Sequence, residues 1–287
     1  MPKNSEFIKS PLNYTGGKYK LLKDIIPLVP KNIGVFVDLF SGGFNVGINA
    51  QAKKIICNDQ NKFIIEMFSF FKNEDTEKII SAIKERISRF SLSLTNKEGY
   101  LKLREEYNRT KLPIDLFTLT CFSFNHQIRF NGSHEFNTPF GLERSQYNDT
   151  IETNLKRFCQ ALKEKNIVFS SLDFEEFDVD KLTSDDFVYL DPPYLISNAV
   201  YNDGKRGFKN WDIRQEEVLI ELMKKLNKNG VPFMLSNVLE HNGEKNEMLI
   251  DFCRDFKVVK LDKTYDNCNY HKKSSGSKTD EVLVLNY

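Results

Sequence analysis

The tetrapeptide Asp191-Pro192-Pro193-Tyr194 follows directly on the apolar run Phe187-Val188-Tyr189-Leu190. A short apolar run of this kind reads as a buried strand, and open α/β sheets hold their ligands at the carboxyl ends of strands. The tetrapeptide would put an acceptor-only carboxylate, a rigid turn and an aromatic face at that end. Such a pocket suits an exocyclic amine on a flat ring. The carboxylate and a backbone carbonyl freed by proline each accept one N–H, and the tyrosine stacks. The same four residues also suit an ordinary strand end and turn, because Asp and Pro are common in turns. The rest of the chain decides between the two.

A second segment, Asp38-Leu39-Phe40-Ser41-Gly42-Gly43-Phe44-Asn45, runs from a strand-like stretch into paired glycines. Glycines at a strand-to-helix turn let the backbone approach a ligand closely. Asp59, just past the next strand, is placed to accept both hydroxyls of a ribose, as in nucleoside sites of doubly wound folds. The turn lacks G-x-G-x-x-G and a Walker Lys-Ser/Thr, which disfavours a pyrophosphate or triphosphate ligand. A third segment, Asn13-Tyr14-Thr15-Gly16-Gly17-Lys18, could wrap a small ligand, meet a phosphate, or simply cap a helix.

The elements that must position these residues alternate along the chain. Lys18–Ile26 reads as a short helix stopping near Pro27, Val35–Phe40 as a strand, Val46–Ala50 as the start of a helix, and Lys54–Asn58 as a second strand. This β-turn-α-β unit is expected to be parallel and right-handed. Residues 61–150 differ. Asn61–Phe71 is rich in Phe and Ile, and Ile79, Ile80, Ile83, Ile87 and Phe90 recur at helical spacing. Tyr100–Asn108 and Ile114–Phe122 continue as helices, and Gln127–Phe130 with Glu135–Asn137 reads as a β-hairpin about Asn131-Gly132-Ser133. Strands are then expected at Ile167–Ser170, Phe187–Leu190, Pro232–Ser236, Phe256–Leu261 and Glu281–Asn286, with helices near Arg214–Asn227 and Lys245–Asp255. The last two strands are expected to pair antiparallel at the sheet edge. The fold class is therefore α/β: a doubly wound sheet built from residues 1–60 and 151–287, interrupted by a largely helical module at 61–150.

Composition bounds the rest. The 287 residues are 40% hydrophobic and 28% charged, the balance of a globular protein. No apolar run approaches the ~20 residues of a membrane helix, and Met1–Glu6 lacks the apolar core of a signal peptide. The five scattered cysteines read as reduced thiols in a cytoplasm, and with the four histidines scattered too no metal site is expected. A net charge of +1 neither demands nor excludes nucleic acid, but Lys and Arg cluster at 102–111 and 272–278.

Taken in order, Tyr14-Thr15-Gly16-Gly17-Lys18, Asp38-Leu39-Phe40-Ser41-Gly42-Gly43 and Asp191-Pro192-Pro193-Tyr194, with Phe124–Asn131 and Phe136–Gly141 between the last two, make the chain resemble the Dam family of DNA adenine methyltransferases nearly end to end. The resemblance implies a Rossmann-like methyltransferase sheet and S-adenosylmethionine as cofactor. It implies that Tyr14, Gly16, Gly17 and Lys18 close over the cofactor, that Asp38, Phe40, Ser41, Gly42 and Gly43 cradle its methionine part, that Asp59 holds the ribose, and that Asp173 and Phe174 flank its adenine. Asp191, helped by the Pro192 carbonyl and set by Pro193, would accept the N6 amine of a target adenine, and Tyr194 would stack on that base after extrusion from the duplex.

The implied partner is double-stranded DNA, bound by a monomer in a bacterial cytoplasm or by a phage-encoded enzyme, with a restriction endonuclease as a functional counterpart. Arg129 would contact guanine, Pro139 a thymine methyl, and Phe124 or Asn125 would fill the space left by the extruded base. Asn13, Gln127 and Asn131 join these DNA-facing residues, and Lys272 and Lys273 would meet phosphates. GATC is the leading target. Asn13 stands where the nearest branch carries Lys, and Gln127 where it carries an apolar residue, so other short sites remain open. The alternatives are a methyltransferase of RNA adenine or of a glutamine amide, and a non-catalytic DNA-binding relative.

Overall fold

The computed structural model describes residues 6–196, 211–261 and 279–287. Lys272 and Lys273 lie outside the described residues. The framework is one mainly parallel sheet. Its strands are β1 (Ile33–Asp38), β2 (Ala52–Asn58), β3 (Ile167–Ser170), β4 (Phe187–Leu190), β5 (Phe233–His241), β6 (Glu244–Lys245), β7 (Lys257–Lys260) and β8 (Thr279–Leu285). They run in the order β3-β2-β1-β4-β5-β8-β7, with the two-residue β6 paired to β5. β8 is antiparallel to both β5 and β7. The expected antiparallel pair is present, with β7 rather than β8 at the edge.

Alternation of side chains sorts the core onto the two faces of the sheet. Phe36, Phe187, Tyr189, Met234, Leu283 and Leu285 enter one apolar cluster, while Val37, Val188, Leu190, Phe233, Leu235, Val282 and Val284 enter the other. Such period-two patterning, buried on both faces, is what a central sheet covered by helices requires. The second face is covered by α7 (Ile213–Lys228) and α8 (Glu247–Cys253), whose Leu219, Met223, Leu226 and Leu249 are buried against it. The first face is covered by α2 (Lys62–Asn73), α5 (Pro113–Phe122) and α6 (Asp149–Glu164). Behind them lie α3 (Thr76–Arg89) and α4 (Lys97–Thr110). The short α1 (Leu22–Ile25), flanked by 3-10 turns, completes the segment expected to be one helix.

Three differences from the sequence reading have local causes. The helix expected over Val46–Ala50 is a single 3-10 turn, Gly47–Asn49. A Cβ at Gly47 would strike the Phe44 ring and lie 2.8 Å from Asp38 Oδ2. The Gly47 N–H is instead spent on Asp38, and the chain runs straight into β2. The expected hairpin is reduced to isolated bridges, Phe130 with Phe136 and Ser123 with Phe140. Its tip is wide because Asn131 accepts from both Ser133 and Glu135 N–H groups through one side-chain oxygen. Helix α6 was not expected. Its signal is present in retrospect: Asn148 caps it, and Leu155, Phe158, Cys159 and Leu162 recur at helical spacing.

Between β1 and β4 the chain reverses direction across the sheet, from outward winding through β2 and β3 to winding the other way. The register sets Asp38 beside both Cys57 and Tyr189, so the carboxyl ends of β1, β2 and β4 lie abreast. A crevice at such a switch point is the default ligand site of an open α/β sheet. Among the described residues, no helix is long and apolar enough to cross a membrane.

Candidate active site

The crevice opens above β1 and β4. Leu39 N–H donates to Tyr189 O at 3.1 Å and Ser41 N–H to Asn58 O at 2.8 Å, stitching the strand ends together. Gly42 adopts φ +46°, and a Cβ there would lie 2.8 Å from the Tyr14 ring; one at Gly43 would lie 3.1 Å from Tyr14 Cβ. The paired glycines are therefore what lets the Tyr14–Lys18 segment close over the turn. Asp59 fixes the turn from below: one oxygen accepts Gly42 N–H and the other Asn61 N–H, both at 2.8 Å.

An aromatic wall bounds one side. The Phe40, Phe174 and Trp211 rings lie 5.2–5.8 Å apart, centroid to centroid. Trp211 is aimed by Glu216, a buried carboxylate that accepts the indole N–H at 2.7 Å and the Asn246 amide at 2.7 Å. Burial pushes the Glu216 carboxyl up, and those two donors pull it down. Asp173 caps the 3-10 turn that carries Phe174, accepting Glu175 N–H at 3.1 Å. Buried Asn58 donates to the carbonyls of Leu39 and Leu172 and accepts Leu172 N–H, so one side chain sets the distance between the glycine turn and the wall.

On the opposite side, Lys18 Nζ lies 2.7 Å from Asp191 Oδ1 and donates to Gly16 O at 3.0 Å. The Tyr194 hydroxyl donates to the same Asp191 oxygen at 3.3 Å. Burial opposes the Lys18 charge, but Asp191, Tyr189 and Glu281 together hold its ammonium above the ordinary range. Burial pushes the Asp191 carboxyl up, against the pull of Lys18. Asp38, 1% exposed, is pushed up to about 8 by burial, with Gly47 N–H pulling it down and Asp191 and Asp59 pushing it further up. Burial also raises Asp59, restrained by its two backbone donors. Asp38, Asp59 and Asp191 thus share one crevice with Lys18. That excess of carboxylate suits a ligand carrying positive charge.

The 61–150 segment reaches this crevice. Ile128 lines it, and the Asn13 amide donates to Asn125 O at 2.8 Å, tying the N-terminal motif to the insert. Asn125 and His126 both have positive φ, a strained pair held by that bond and by His126 N–H donating to Ser123 O. Phe124 is half-buried under the Arg144 guanidinium, 4.7 Å from its ring centroid. Gln127 and Pro139 are exposed. Arg129 donates through Nε to Asn137 Oδ1 at 3.0 Å and through Nη2 to Asn137 O at 3.3 Å, using two of its donors. Asn131 braces the loop tip, accepting Ser133 and Glu135 N–H groups and donating to the Glu135 carboxylate. Phe122 and Phe130 are core residues, the latter stacked on Phe63 at 4.7 Å.

A family model for D12 class N6 adenine-specific DNA methyltransferases matches residues 14–267 of this chain. The chain belongs to the D12 class of N6 adenine-specific DNA methyltransferases. It is 47% identical over 285 residues to the type II methyltransferase M.FokI of Planomicrobium okeanokoites, covering 99% of this chain and 44% of that protein. It is 49% identical over 284 residues to the modification methylase StsI of Streptococcus sanguinis, covering 98% of this chain and 43% of that protein. The chain therefore spans less than half the length of these two relatives. With the DNA adenine methylase of Salmonella typhi it shares 29% identity over 289 residues, covering 99% of this chain and 96% of that protein.

In this D12 methyltransferase the fold gathers Tyr14, Gly16, Gly17, Lys18, Asp38, Phe40, Ser41, Gly42, Gly43, Asp59, Asp173, Phe174 and Asp191 to Tyr194 around one crevice. Sequence reasoning missed Asn58, Trp211, Glu216 and Glu281. Only Trp211, the lone tryptophan of the chain, carried a signal in its type alone.

Proposed function

We propose that this D12 methyltransferase transfers a methyl group from S-adenosylmethionine to N6 of an adenine extruded from double-stranded DNA. The half-buried Asp191 carboxylate, beside a glycine turn in a crevice with three carboxylates and one lysine, carries this reading. When bound, the cofactor supplies a methyl group already activated by its sulfonium charge. Ser41–Gly43 and Asp38 would border its methionine part, with Asp38 facing positive charge. Asp59 keeps lone pairs for the ribose hydroxyls, and the Phe40, Phe174 and Trp211 wall, with Asp173 at its edge, suits a purine. Tyr14, Gly16, Gly17 and Lys18 would close the crevice from the other side.

Adenine N6 is a weak nucleophile because its lone pair is delocalised into the ring. Asp191 and the Pro192 carbonyl, each accepting one N–H, draw the nitrogen towards sp³ and localise that pair. Tyr194 stacks on the extruded base, whose removal from the helix costs about a few kcal/mol. Residues 1–60 and 151–287 form the catalytic part, and 61–150, reaching the crevice through Ile128 and Asn125, form the part that reads DNA. The names of the modification methylases it resembles support pairing with a restriction endonuclease. Labelled S-adenosylmethionine and varied duplexes test the reading: label is expected on adenine N6, and no adenine label across all duplexes overturns it. Sequencing modified adenines in an expressing host decides between GATC and other sites.

Arg129→Ala is expected to weaken site choice with less effect on turnover at the preferred site. A bidentate contact to guanine contributes roughly 1–3 kcal/mol of discrimination, so the preference over a duplex changed at that base should fall about five- to 150-fold. Rates on matched and single-base-changed duplexes measure it, and an unchanged ratio refutes the assignment.

A further inference from the structure

In the closed crevice Asp191 already has a cation. Lys18 Nζ sits 2.7 Å from Oδ1, the atom that also receives the Tyr194 hydroxyl. The same ammonium lies 5.3 Å from the centroid of the Tyr194 ring, the face on which an extruded base would stack. An amine that takes Oδ1, the oxygen Lys18 holds, displaces the ammonium.

A second carboxylate stands beside them. Glu281 lies on β8, 1% exposed, followed by four buried apolar residues, Val282 to Leu285. A carboxylate in such a row is strongly disfavoured unless it is paired. Its Oε1 lies 3.4 Å from the Tyr194 hydroxyl, whose single proton it shares with Asp191, and 4.0 Å from Lys18 Nζ. Closing that gap to the about 2.8 Å of a charge-assisted hydrogen bond requires a lysine shift of little more than an ångström, within the reach of its flexible stem. Glu281 belongs to none of the motifs that mark the site in the sequence.

We propose, building on the adenine reading above, that Glu281 is a positioning residue that takes over Lys18 when a substrate amine replaces the ammonium on Asp191. The buried lysine then keeps a carboxylate partner in both states, and Asp191 is released to the substrate. Loss of the Glu281 charge should tie Lys18 to Asp191 and exclude the amine.

The test compares duplexes carrying adenine or purine, which lacks the 6-amino group, at the methylated position, bound in the presence of S-adenosylhomocysteine. Glu281→Gln keeps the shape and still accepts from Tyr194. It is expected to weaken binding of the adenine duplex roughly tenfold, the size of one lost hydrogen bond to a charged group, and to leave the purine duplex within about twofold. Single-turnover transfer should fall while KM for the cofactor holds. Glu281→Asp, which restores the charge on a shorter arm, should recover part of the adenine preference. Equal loss on both duplexes, no loss on either, or no recovery with Asp overturns the proposal. Failure of the unaltered protein to label adenine would instead overturn the adenine reading itself.

Discussion

Asp191→Ala is expected to lower single-turnover methyl transfer about a thousandfold while DNA binding persists. The size follows from the role: a preorganised group acting on charge that develops only in the transition state typically contributes 10²–10³-fold, and Asp191 also orients the amine. Placing the reacting nitrogen is a separate contribution that the same substitution removes. The affinity of duplex-binding proteins rests largely on phosphate contacts, so DNA affinity should change little. The substitution also strips buried Lys18 of its 2.7 Å partner. Removing one member of a buried ion pair destabilises by about 3–5 kcal/mol, an upper figure here because Gly16 O and Glu281 remain close to Nζ. Asp191→Asn separates the two effects. It keeps the volume and one acceptor, so folding should survive better than in the alanine variant while transfer still falls steeply. Rapid-quench transfer assays beside thermal melts read both, and turnover retained in the alanine variant would contradict the role given to the carboxylate.

The parts of this site that were legible in the sequence are those built by neighbours in the chain. Asp38 to Gly43 is a strand end and a turn, and Asp191 to Tyr194 is another; their chemistry is carried by contiguous residues and a local glycine requirement. Asp59 was legible as a strand-end carboxylate, although its anchoring of the Gly42 N–H depends on how β1 and β2 meet. Asn58 and Glu281 were not legible. Asn58 acts only because β2 lies between β1 and β3, and Glu281 only because β8 enters the sheet beside β5. No local pattern fixes such registers; they are set by tertiary packing. Helix α6 had a readable period, but its boundary with the insert obscured it. In the insert, Arg129 and Asn131 were both readable as polar groups near a turn. The fold adds what the sequence could not: Asn131 braces the loop through three bonds, and Arg129 is held on Asn137 by two of its donors.

The stability of the ligand-free protein should fall as pH rises, and Asp38 should be a principal cause. Its carboxyl lies at about 8 in the folded chain against 3.8 as its ordinary value, through burial first, with Asp191 and Asp59 adding to it and Gly47 N–H and Lys18 opposing. Between those values the folded state holds a proton that the unfolded state has lost. The stabilisation is therefore complete below the lower value and is lost as pH climbs through the upper one, at up to about 1.4 kcal/mol per pH unit. Asp38→Asn removes the titration and can still accept Gly47 N–H through its side-chain carbonyl, so its melting temperature should exceed that of the unaltered protein at about pH 9 and approach it near about pH 4. The sign reverses in function. A buried carboxylate that resists ionising alone ionises readily once a positive ligand arrives, so saturating S-adenosylmethionine should flatten the pH slope of the unaltered protein, and the asparagine variant should bind that ligand more weakly. Melts of both proteins across this range, with and without the cofactor, decide it. Parallel curves would mean that Asp38 is ionised in the empty crevice and that its charge is already balanced there.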